Sequence, residues 1–124
     1  MAVTYTTAVK NARLDAVTTA IGTTGVLEIG TTGMASILAT ISLNNPAAAA
    51  ASAGVLTFSG FPKSDTSADN TGTAAAARIR TASGGTDIIT GLTVGTSGSD
   101  INLDSLSITA GQTVTVNSAT VTHA

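Results

Sequence analysis

Beyond Gly22 the chain reads as short β-branched runs separated by Gly, Ser, Asn and Asp, and that punctuation is the pattern of an antiparallel β-domain. The run 26–29 is bracketed by two copies of Ile-Gly-Thr-Thr-Gly, at 21–25 and 29–33. Two copies cannot stack a core, so this predicts a strand between glycine turns and not a solenoid. Residues 35–43 follow, with Ile37, Ala39, Ile41 and Leu43 alternating with Leu38, Thr40 and Ser42. Asn44-Asn45-Pro46 ends that run. The alanine-rich segment 47–53 is ambiguous, because alanine favours helix but Pro46 and Gly54 enclose too short a piece. Residues 55–59 return as a strand with Phe58 inward, and the polar stretch 63–72 reads as an exposed loop.

Four consecutive alanines, 74–77, suggest helix by propensity. Period two nevertheless places Arg78 and Arg80 on one face and Ala75, Ala77 and Ile79 on the other. With the turn Ser83-Gly84-Gly85, residues 73–82 and 86–94 read as a strand pair. Residues 95–99 form a loop, and strands follow at Ile101–Leu103, Leu106–Ile108 and 113–122. In the last, Val114 and Val116 have opposite parity to Ala119 and Val121, which a bulge near Asn117-Ser118 reconciles. Before Gly22 the period is different. Val9, Ala12, Ala16, Val17, Ala20 and Ile21 share one helical face over residues 8–21, with Thr6 or Thr7 as N-cap and Gly22 as the stop. The expected fold is mainly β, an antiparallel β-sandwich or jelly-roll-like domain with one N-terminal α-helix. It occupies 1–124 as a single unit, 1–22 being arm and helix and 23–124 the sandwich.

Composition bounds what such a domain can do. Thr, Ser, Ala and Gly supply 71 of the 124 residues, Val, Ile and Leu only 26, and the aromatics are Tyr5, Phe58 and Phe61. A net charge of −2 keeps the chain out of the self-repelling regime of disordered sequences. With no Lys/Arg cluster and few aromatics there is neither an electrostatic footprint nor a stacking platform for nucleic acid. Cysteine is absent, which removes disulfides, thiolate zinc sites and redox motifs. The first five residues do not read as a signal peptide, and the longest weakly polar stretch, 47–56, falls short of the ~20 apolar residues of a membrane span. The expectation is a soluble protein that stays where it is made.

Candidate chemistry is sparse. His123, one residue from the C-terminus, lacks the rigid setting a catalytic base needs, so an exposed terminal histidine is the preferred reading. Lys63-Ser64 resembles a phosphate loop only until Pro62, which has no backbone donor. Asp100, Asn102 and Asp104 alternate with Ile101 and Leu103 and could offer oxygens to Ca²⁺, although a solvent-facing strand carries the same pattern; Asp65 and Asp69 are weaker candidates. Arg78 and Arg80 could grip a carboxylate of a partner protein, against the plainer alternative of a solvated face or a bridge to Asp87. No constellation points to an enzyme or to a cofactor.

The opening Asn11-Ala-Arg-Leu-Asp-Ala-Val-Thr-Thr-Ala-Ile-Gly22 and the close from Gly98-Ser-Asp-Ile-Asn-Leu-Asp to Val116-Asn-Ser-Ala-Thr-Val-Thr122 resemble a group of small structural proteins of tailed bacteriophages and prophages. Gly54-Val-Leu-Thr-Phe58, Ser83-Gly84-Gly85 and Gly91-Leu-Thr-Val94 fall where that pattern has strands and turns. The chain departs from it between Gly30 and Gly33 and around Ala74–Ala77. The resemblance implies a virion protein of the capsid decoration, or cement, type: made in the host cytoplasm, located on the capsid surface, bound to the major capsid protein, and assembled as a homo-oligomer, trimer or dimer, on a symmetry axis. It implies neither nucleic acid nor membrane as partner. The helix 8–21, through Val9, Arg13 and Val17, or the tail before it, is the first expected inter-subunit contact, and 47–53 the next. A tail, neck or fibre component, or a cell-surface adhesion module, would share this composition.

Overall fold

A computed structural model describes residues 4–123. Helix α1 spans Thr7–Ile21. Thr6 caps it, its hydroxyl accepting from the Val9 N–H at 3.4 Å, and Gly22 stops it at φ 77° with its N–H on Thr18 O. Eleven strands follow: β1 Val26–Gly30, β2 Ile37–Ser42, β3 Val55–Thr57, β4 Lys63–Asp65, β5 Gly72–Thr73, β6 Ala76–Arg80, β7 Asp87–Leu92, β8 Val94–Gly95, β9 Ile101–Leu103, β10 Ser107–Ile108 and β11 Val114–Thr122. They make a four-stranded sheet, β2-β1-β6-β7, and a second sheet, β3-β11-β9-β8, to which β4 adds through β11; β10 and β5 pair separately. All pairs are antiparallel except β8–β9. The chain is thus mainly β with one N-terminal helix, and sandwich-like.

Alternation builds the core. One face of the first sheet carries Leu27, Ile29, Ala39, Ile41, Ala77 and Ile79, each at most 1% exposed. From the second sheet come Leu56, Ile101, Leu103 and Val116, and the helix adds Leu14 and Ile21 to the same contiguous cluster. The bulge expected in the last strand is present: β11 shifts register against β9 between Val116 and Ser118, so Val114, Val116 and Ala119 are all buried.

Three expectations need correction. Helix α1 turns a different face inward. Leu14 and Ile21 are buried and Val17 is half-buried, whereas Val9, Ala12, Ala16 and Ala20 are exposed. Burying a leucine gains more than burying an alanine. Two polar side chains fix that phase, Asn11 Oδ1 accepting from Gly54 N–H at 2.9 Å and Asp15 Oδ1 from Ala51 N–H at 2.8 Å. Residues 63–72 are not a simple exposed loop. They begin as β4 and end in β5, and the residues between lie as a strap along β2: Thr40 N–H donates to Asp65 Oδ2 at 2.9 Å, Asp69 N–H to Leu38 O at 2.8 Å and Asn70 Nδ2 to Ile37 O at 2.8 Å. Ala68, at the strap's middle, is 4% exposed. The segment 95–99 also starts within a strand, since Gly95 pairs in parallel with Asn102.

Segment 47–53 resolves its ambiguity as extended chain. Ala48 bridges Phe58, and Ser52 and Val55 exchange hydrogen bonds across a two-residue turn in which Ala53 (φ 54°) and Gly54 (φ 75°) are both left-handed.

Candidate functional site

The charged chemistry gathers on the outer face of the four-stranded sheet. In β1 an acid interrupts an apolar run, and the register sets Glu28 opposite Arg78 of β6 on one side and Thr40 of β2 on the other. Glu28 is 4% exposed, and a carboxylate so placed needs partners. Arg78 Nε donates to Glu28 Oε1 at 2.7 Å, and Arg80 Nη1 stands 3.8 Å from the same oxygen. Arg80 also donates through Nη2 to Gly85 O in the hairpin turn, and its Nε lies 2.9 Å from Asp87 Oδ1. That last approach is an ion pair and not a hydrogen bond, since the Nε–H is not aimed at the oxygen. The expected bridge from Arg80 to Asp87 therefore exists, and Glu28 is the centre of the group. Sequence reasoning passed over it. The signal was present: a lone acid inside a four-residue apolar run needs a charged or hydrogen-bonding partner if it is buried, and the paired arginines of the chain are at 78 and 80.

A second surface lies at the start of α1. Tyr5 and Val9, 42% and 43% exposed, are the exposed large hydrophobic side chains among the described residues. Arg13 lays its guanidinium over the Tyr5 ring at 4.5 Å, and His123 meets the ring edge-on with centroids 5.8 Å apart. His123 is consequently not a fraying terminal residue: it is half-buried, and its N–H donates to Gly54 O at 2.9 Å. Of the helix residues expected to meet a partner, Val9 and Arg13 are on this surface, while Val17 packs against the core.

The oxygens considered for calcium are engaged one by one. Asp100 Oδ2 accepts from Thr93 N–H at 3.0 Å and Asp104 Oδ1 from Asn117 Nδ2 at 2.8 Å, while the Asn102 amide bonds Ser99 and Ser118 Oγ. These contacts fasten the ends of β9 and the bulge of β11. Among the described residues no three His, Cys, Asp or Glu side chains are grouped to hold a metal ion. Asp65 is likewise engaged, taking Ser67 N–H at 3.0 Å on Oδ1 and Thr40 on Oδ2, and Asp69 bonds β2 through its backbone. Lys63 and Ser64 sit in β4, where Ser64 Oγ and Thr115 Oγ1 are 3.0 Å apart, beside an open polar groove of about 340 Å³ shared with Thr40, Ser42, Asp65 and Thr66.

Chemically these surfaces can bind, by a cation–aromatic patch on the helix and by guanidinium donors on the sheet. No helix among the described residues is long and apolar enough to cross a membrane. Comparisons with models of known protein families, with curated proteins and with solved structures find no match to this chain.

Proposed function

We propose that the chain is a non-enzymatic capsid decoration, or cement, protein of a tailed bacteriophage, binding the major capsid protein on the outside of the assembled head as a dimer or trimer. The observation that carries the reading is the surface formed by Tyr5, Val9 and Arg13. Tyr and Arg are among the residue types that dominate binding energy at protein interfaces, and here Tyr5 and Val9, the exposed large hydrophobic side chains among the described residues, lie at the start of the helix with Arg13 over the Tyr5 ring. The resemblance of residues 11–22 and 98–122 to small virion proteins supports the same reading. A single patch of this size binds weakly, but a shell repeats its partner surface many times, and an oligomer that engages several copies gains avidity without further contacts.

The deciding measurement is to find this chain in purified virions and count it against the major capsid protein. Near-stoichiometric abundance is the expected result. A few copies per particle would replace the reading with a tail, neck or fibre component.

A further inference from the structure

We propose that Arg78 is a docking point for a carboxylate side chain of a partner protein, and that buried Glu28 is the positioning residue that holds it ready. The inference rests on the chain's being one that coats another protein. The two arginines of β6 differ in what they have left to give. Arg80 uses its guanidinium on Gly85 O, on Asp87 and, more distantly, on Glu28. Arg78 carries a single hydrogen bond among the described residues, from Nε to Glu28 Oε1; its side chain is 22% exposed, and neither Nη is among the buried side-chain atoms that lack a partner. Its terminal fork therefore reaches solvent with its donors uncommitted.

A guanidinium anchored at Nε has already lost much of the rotamer freedom that binding would otherwise cost, and its Nη edge matches the two oxygens of a carboxylate. The anchor is itself fixed: Glu28 is 4% exposed in a central strand, between β2 and β6. On the same face of β6 the neighbour on one side is Ala76, whose methyl cannot cap the fork. Glu28, Arg78, Arg80 and Asp87 sum to zero charge, so the attraction is short-ranged and the occupant is chosen by the geometry of the fork. A planar, two-oxygen acceptor fits it.

The test adds purified chain to phage heads that lack it and measures bound against free protein. Wild type should bind. Arg78→Gln and Arg78→Lys should each bind at least about ten-fold more weakly. Lysine keeps the charge beside Glu28 but has no fork, so Arg78→Lys decides the matter if Arg78→Gln fails to fold. Glu28→Gln, which loosens the anchor while leaving the fork, should fall between. If wild type binds and both Arg78 variants match it, the docking role of Arg78 is overturned and the coat reading stands. If wild type itself does not bind, both are overturned.

Discussion

Ala53 occupies a position that the backbone would rather give to another residue. At φ 54° it is left-handed, as is Gly54 after it, and the two make the turn that joins Ser52 to Val55. For an L-residue with a Cβ and no local hydrogen bond this conformation costs on the order of 1 kcal/mol, whereas Asn-Gly is the preferred pair for such a hairpin. Ala53 is exposed, so a longer side chain meets no obstacle. Ala53→Asn should stabilise the isolated chain by about 1 kcal/mol, read as a higher midpoint in urea with an unchanged slope. An unchanged or lower midpoint would mean that the turn is not strained.

Elements show where sequence reasoning succeeds and where it stops. The caps of α1, the 83–85 turn and the bulge at 117–118 were legible because each is set by residues within a few positions of one another. The helix phase was not, since it depends on Asn11 and Asp15 meeting backbone N–H groups some 40 residues away. Nor was the strap. Residues 66–72 carry the polar composition of a loop, and only the presence of β2 beside them turns Asp65, Asp69 and Asn70 into partners for its outer edge. Of the sheet-face site, Arg78 and Arg80 could be read from period two. The buried acid between them is 50 residues away from Arg78 and needed the register of β1 on β6.

The strap makes its own prediction. Asp65→Ala removes a charged acceptor from two backbone N–H groups, which should cost about 1–2 kcal/mol and speed amide exchange at Thr40 and Ser67 beyond that at neighbouring core amides. Equal acceleration everywhere would show that Asp65 contributes only to global stability.

For the whole molecule, the abundance of small residues takes on a definite meaning. Most of them fill turns and outward positions, alanines such as Ala39, Ala77 and Ala119 pack inside, and the larger aliphatic side chains concentrate in one cluster to which every layer contributes. A core this lean leaves room for neighbours to add stability, because anything that binds the native state shifts unfolding by mass action. Under the proposed role, heads lacking the chain should lose resistance to heat and regain it when the protein is added back, with its own melting temperature raised on the shell. Heads equally stable with and without it would leave a passive coat.

The treatment of strand edges bears on how copies of this chain can meet. The strap covers β2, segment 47–52 lies along β3, and two register shifts against β6 bend the β7 edge. Along β2, β3 and β7 few backbone donors and acceptors are left in line for a foreign strand. Under the proposed role, copies meeting at these edges would associate through side chains, whose contacts form and release one subunit at a time. In a crowded coat such contacts would favour exchange over fibres, so that a damaged copy could be replaced without dismantling the rest.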